Sequence, residues 1–165
     1  MNTLVELFNL GMMRDHKDIM PDVNHNGSNL ILNLGAGEKT ISGAIAHEYP
    51  EWDAEHMPLP YADSTVSQIH AYHFLEHIKN VPFVLSEINR VLVPGGHANI
   101  VVPYYKSAMQ AQDLDHKSQF TEKTFNHLFN SRYYSKGKGE PMWIHSNWIM
   151  GDCEANLCLV VQLRK

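Results

Sequence analysis

The residues with most capacity for chemistry fall in three stretches of the chain. Gly35-Ala36-Gly37 ends a short apolar run, and a glycine turn at that point lets backbone approach a ligand that a Cβ would hold off. Two acids follow, Glu48 and Asp53. An ionised carboxylate offers only acceptors and a ribose diol offers two donors, so Glu48 suits a ribose, while Asp53 can accept the exocyclic amino group of adenine. A plain turn at the glycines and solvated turn carboxylates explain the same residues, so this pattern alone does not decide. Farther along stand His73 and His77, then Tyr104 and Tyr105, then Asp115 and His116. Histidine titrates near neutrality and can serve as a proton acceptor, and a tyrosine can stack on a planar ligand or fill the edge of a core. His77 reads equally as a side chain that ties loops together, and Trp143, His145 and Trp148 as a pocket wall or as core.

The elements that position these groups follow from hydrophobic periodicity. Leu30 to Leu34 is too short for a free-standing helix and runs into the glycine turn, so it reads as a buried strand. Gly43 to Tyr49 and Val66 to Tyr72 read as further strands, and the stretch from Asp53 to Tyr61 as irregular. Val84, Leu85, Ile88, Val91 and Leu92 share one face of a helix over Val81 to Leu92, with Pro94-Gly95-Gly96 ending it. His97 to Pro103 is again strand-like. Thr121 can cap a helix that takes in Thr124 and Phe125, and Leu157, Leu159, Val161 and Leu163 alternate through a last strand over Asn156 to Lys165. Upstream, Leu4, Leu7, Phe8 and Met12 suit an amphipathic helix over Thr3 to Met13, followed by a loop over Asp22 to Asn29. Strands alternating with helices imply a mostly parallel sheet with helices on its faces.

Four motifs in order carry a family likeness: Leu32-Asn33-Leu34-Gly35-Ala36-Gly37, Pro58-Leu59-Pro60-Tyr61-Ala62-Asp63-Ser64, Phe74-Leu75-Glu76-His77, and Glu87-Ile88-Asn89-Arg90-Val91-Leu92-Val93-Pro94-Gly95-Gly96. They resemble the class I S-adenosylmethionine-dependent methyltransferases, in particular the small type 11-like group that reads Leu-Pro-Phe-x-Asp, Leu-Glu-His and Arg-Val-Leu-x-Pro-Gly-Gly. The likeness runs from about Leu30 to Phe129 and takes in Asp115 to Thr121. It implies an α/β Rossmann-like fold: a mostly parallel central sheet with an antiparallel last strand, helices on both faces, and a shortened helix after the first strand. It implies one domain over 1–165, with 1–28 as an N-terminal cap and 30–165 as the core.

The resemblance further implies S-adenosylmethionine as cofactor, with S-adenosylhomocysteine as product. Asn33, Gly35, Ala36 and Gly37 would line its methionine part, Glu48 or the neighbouring Tyr49 its ribose, and Asp53 with Ala54 its adenine. Tyr72 and His73 would lie beside the sulfonium. Methyl transfer is an in-line displacement that needs alignment first and a base only if the acceptor loses a proton. His73, His116 and Tyr104 are the residues expected to act there. The compressed Gly37 to Glu48 connection also fits a non-catalytic cofactor-binding or partner module with a degenerate site.

Composition narrows the partners. At 44% hydrophobic and 19% charged the chain is globular, and its net charge of −5 gives no reason to expect a phosphate backbone as ligand. A small-molecule acceptor is therefore expected ahead of nucleic acid, for which only Arg132 to Lys138 offers local basic charge. No apolar run is long enough for a membrane span, so a cytoplasmic protein without membrane partners is expected. A sparsely covered pocket would be completed by a homodimer. Cys153 and Cys158 match neither a zinc ribbon nor a redox pair, and Glu76-His77 and Asp115-His116 lack the helix-face spacing of an HExxH site, so no metal is expected despite the 11 histidines.

Overall fold

Ile31–Leu34 forms the first strand, β1, with Leu32, Asn33 and Leu34 all buried. The computed structural model describes residues 30–37, 41–130, 144–150 and 157–165. The expected N-terminal helix, the loop before β1, the basic run at 132–138, Trp143 and Cys153 lie outside the described residues. From β1 the chain passes through residues 35–43 to β2 (Ala44–His47), which pairs parallel to it in register Leu32 to Ile45. The described part of this connection is turn, with positive φ at Gly35, Gly37 and Gly43. β3 (Val66–Tyr72) lies on the other side of β1, also parallel, and is followed by a single 3-10 turn at Leu75–His77.

Helix α1 spans Val81–Val91 and buries Val84, Leu85, Ile88 and Val91 in the main core. Its start is doubly secured: the Asn80 side chain accepts from the Phe83 N–H, and the Glu55 carboxylate accepts from the N–H groups of Lys79 and Asn80. Both arrangements satisfy donors that a helix terminus leaves without intrahelical partners. The chain then enters β4 (Leu92–Pro103) directly, so the Pro94-Gly95-Gly96 segment opens a strand rather than a loop. Gly96 is needed there, because a Cβ would come within 2.9 Å of the Val93 carbonyl. Two short helices follow, α2 (Ala108–Gln112) and α3 (Thr124–Asn130), then β5 (Ile144–Met150) and β6 (Cys158–Arg164). Thr121 accepts from the Lys123 N–H ahead of α3, which starts three residues beyond its expected cap.

Among the described residues six strands lie in the order β2-β1-β3-β4-β6-β5. β6 inserts between β4 and β5 and runs antiparallel to both, so it is the one reversed strand in an otherwise parallel set. Central β3 and β4 are buried along nearly their whole length, as strands covered on both faces require, whereas edge strand β2 is half exposed. The sequence reading placed β3 correctly and missed α2 and β5.

A candidate active site at the carboxyl ends of the central strands

β1, β2 and β3 all end on one side of the sheet, and in open α/β sheets that edge is where ligands bind. The loops leaving these strands enclose a cleft of about 470 Å3 lined by Gly35, Gly37, Glu48, Tyr49, Asp53, Ala54, His73 and Phe74, among others. The two glycines of the first loop serve different ends. At Gly35 (φ +63°) a Cβ would stand 2.4 Å from the Phe74 ring, so this glycine admits packing from behind. At Gly37 (φ +53°) nothing lies within 4 Å of the Cβ position, so this glycine leaves open space. The Gly37 N–H donates to Glu48 Oε1, which ties the turn to the end of β2.

The floor is aromatic and polar. Trp52 is buried, with its ring 6.0 Å from Phe74, and its indole N–H donates to the Met57 carbonyl at 3.2 Å. His47 meets the Tyr61 hydroxyl at 2.7 Å, and burial lowers its pKa. Asp53 accepts from the Glu55 N–H at 2.9 Å and lies 3.0 Å from His56 Nδ1, and these contacts hold its pKa below the usual carboxylate value. Its carboxylate thus shapes the turn that borders the cleft.

A second cleft, of about 460 Å3, opens beyond the end of β4 and is lined by His73, Glu76, His77, Pro103, Met109, Gln112, Asp113, Leu114 and His116. His73 and His77 belong to both linings, so the two clefts meet at these histidines. His73 leaves β3 with φ +53°, an uncommon conformation for a residue bearing a Cβ, while its N–H donates to the Val101 carbonyl at 2.8 Å. Burial disfavours its charge, but the Cys158 sulphur and the Glu76 carboxylate, with Nδ1 3.2 Å from Oε1, outweigh that and raise its pKa to about 9. These neighbours favour the imidazolium form of His73.

His116 reaches the second cleft on the segment that follows α2. The N–H groups of Lys117 and Ser118 both donate to the Glu76 carbonyl, and the Ser118 hydroxyl donates to the Ile78 carbonyl at 2.6 Å. These bonds strap the segment across the 3-10 turn and bring the His77 and His116 rings to 4.9 Å. His116 Nδ1 faces the Gln110 carbonyl at 3.2 Å, which places its proton on Nδ1 when the ring is neutral.

Of the residues expected at the site, Gly35, Gly37, Glu48, Tyr49, Asp53, Ala54 and His73 line the first cleft and His116 the second. Four do not line either. Asn33 and Ala36 are buried beneath the glycine turn. Tyr72 turns to His70, its hydroxyl 2.8 Å from Nδ1. Tyr104 is buried and donates to Glu122 at 2.9 Å, which removes it from any stacking role. Sequence spacing weighs His77 as a loop tie and sets Glu76-His77 aside as a metal pair, whereas the fold brings both to the lining of the second cleft.

Comparison with known proteins bears on the fold. Residues 32–100 match a methyltransferase domain family. No curated protein matches the chain in sequence. Among solved structures, a SAM-dependent methyltransferase from Archaeoglobus fulgidus is similar over 98% of this chain and 92% of its own, at 13% identity and a TM-score of 0.66. An S-adenosylmethionine-dependent methyltransferase from Mesorhizobium loti covers 89% of this chain and 94% of its own, at 13% identity and 0.58. A third similar structure is a complex of the Haloferax volcanii Trm112 methyltransferase activator with a putative methyltransferase, covering 82% and 81% at 14% identity and 0.53.

Proposed function

We propose that the chain is a class I S-adenosylmethionine-dependent methyltransferase that methylates a small-molecule acceptor held in the second cleft, with the cofactor in the first, a reading supported by the family match over residues 32–100 and the similar folds. The observation that carries this reading is the meeting of two clefts of similar size at His73 and His77. A displacement at carbon needs donor and acceptor on opposite sides of the transferred methyl, and adjoining pockets meet that requirement.

The residues of the first cleft fit the cofactor. Gly37 leaves unfilled space where backbone has to come close, and Glu48 keeps Oε2 for a ribose diol while Oε1 holds the turn. Asp53 and Ala54 border the adenine end, with Asp53 acting through the turn it fixes. When bound, S-adenosylmethionine supplies an electrophilic methyl group on a sulfonium. His73 stands at the boundary between the clefts, its Nδ1 3.2 Å from Glu76 Oε1. Pro103, Met109 and Leu114 give the second cleft an apolar side against which a small acceptor can pack. A 460 Å3 cleft lies within the ordinary range for small ligands.

Calorimetric titration with S-adenosylhomocysteine tests the cofactor site. Binding in the micromolar range, about 8 kcal/mol, is expected for the wild type, with loss in Gly37→Arg and roughly tenfold weakening in Glu48→Ala, about 1.4 kcal/mol. Absence of binding by the folded wild type would refute the proposal and favour a partner module with a degenerate site.

A further inference from the structure

The second cleft contains a buried carboxylate whose surroundings fit a cation better than they fit a fold-stabilising role. Glu76 is fully buried, and neither of its oxygens receives a hydrogen bond. Among the described residues it forms one ion-pair contact, with His73 Nδ1 3.2 Å from Oε1. Leaving a buried carboxylate this poorly paired is costly, so such a group calls for a further partner. His77 follows it in the same 3-10 turn, and the strap at 117–118 delivers His116. One ligand atom from each of Glu76, His77 and His116 lies within 4.8 Å of the other two.

We propose that Glu76, His77 and His116 form a binding site for a divalent transition-metal ion, open to the second cleft. Two imidazoles and a carboxylate suit zinc, manganese or cobalt, and three protein ligands leave a position for an exogenous oxygen. The Gln110 carbonyl opposite His116 Nδ1 is the outer partner that metal-bound histidines commonly have, and it leaves Nε2 for the ion. Asp113 Oδ2, 3.7 Å from that Nε2, stands at the rim as a further oxygen donor. Tetrahedral coordination with bonds of about 2.1 Å puts donors about 3.4 Å apart, so the side chains close in by roughly an ångström on binding. Sequence spacing concealed the site because its third ligand comes from a distant loop rather than from one helix face.

The site deepens the proposed function and rests on it only for the identity of the second cleft. The acceptor would be a compound that ligates the ion through oxygen, its hydroxyl made more acidic by the ion and its proton passing to water.

Cobalt(II) alone, titrated into chelator-treated full-length protein and followed by visible absorption, tests the inference. One saturable equivalent with the d–d bands of a low-symmetry site is expected in the wild type and in His127→Ala, an exposed histidine away from both clefts. His116→Ala and His77→Gln should abolish that equivalent, and Glu76→Gln should weaken it at least tenfold, with cooperative thermal unfolding retained in each. Loss of the cobalt signal in none of these variants, or no saturable equivalent in the wild type, overturns the site. Titration with S-adenosylhomocysteine, run on the metal-free protein, separates the two claims: cofactor binding without specific cobalt binding removes the metal site alone, and the reverse removes the methyltransferase reading alone.

Discussion

Glu76 and Glu87 are both buried carboxylates on consecutive elements of one core, and they are treated in opposite ways. Glu87 receives the Leu59 N–H at 2.9 Å, Arg90 Nε at 2.9 Å and an Arg90 terminal nitrogen at 2.7 Å. Arg90 goes on to donate to the Leu59 and Tyr61 carbonyls and to Asp63, so one bidentate pair pins the whole 59–63 loop to α1. Glu76 accepts no hydrogen bond, and the imidazoles of His73, His77 and His116 lie near it. A carboxylate with hydrogen bonds on both oxygens is there to hold structure, and one with none beside histidines and a cleft is there to be used. The contrast separates frame from site within a single sheet edge.

The comparison predicts its largest effect at Arg90. Arg90→Ala strands Glu87 with one donor and frees the 59–63 loop, and chemical denaturation should show a loss of about 3 kcal/mol, the lower end for breaking a buried ion pair because the guanidinium is partly exposed. Gly35→Ala adds a Cβ at positive φ against the Phe74 ring and should cost about 2 kcal/mol, whereas Gly37→Ala meets nothing and should cost only about 1 kcal/mol from its backbone alone. Glu76→Gln removes the His73 contact but no hydrogen bond, and should cost about 1 kcal/mol, well below the Arg90→Ala loss. Equal losses for Glu76→Gln and Arg90→Ala would break the distinction between the two carboxylates.

Acid gives the smallest and most specific effect. Hydrogen bonding from Arg90, opposed by burial and aided by the Leu59 N–H, holds the Glu87 pKa below the usual glutamate value. Its folded pKa is depressed, so its contribution is complete above the unfolded value near 4.3 and is lost as pH falls through the folded value. Stability measured from about pH 6 to 3 should therefore fall less steeply in Glu87→Gln than in the wild type.

Much of the frame was legible because its signals are local. The apolar run of β3 and the three-and-four spacing in α1 depend on neighbours in sequence, and both elements stand where expected. β5 was missed because Ile144-His145-Ser146-Asn147-Trp148 lacks clean alternation and owes its strand to pairing with β6. The family motifs Leu59 to Asp63 and Glu87 to Arg90 were visible as marks of likeness, yet their work is mutual anchorage. The first cleft followed from strand ends and a glycine turn. Tyr104 did not, because its position after β4 says nothing of Glu122, which claims its hydroxyl. The convergence of Glu76, His77 and His116 was equally hidden, since it depends on bonds from 117 and 118 back to the Glu76 carbonyl.

The most direct test of the central claim is a crystal structure of the protein grown with S-adenosylhomocysteine. The account predicts the nucleoside between Glu48 and Ala54, the amino-acid end over Gly37, and the sulphur at the His73–His77 boundary, facing the second cleft. Ligand bound elsewhere, or with its sulphur turned away from that boundary, would contradict it.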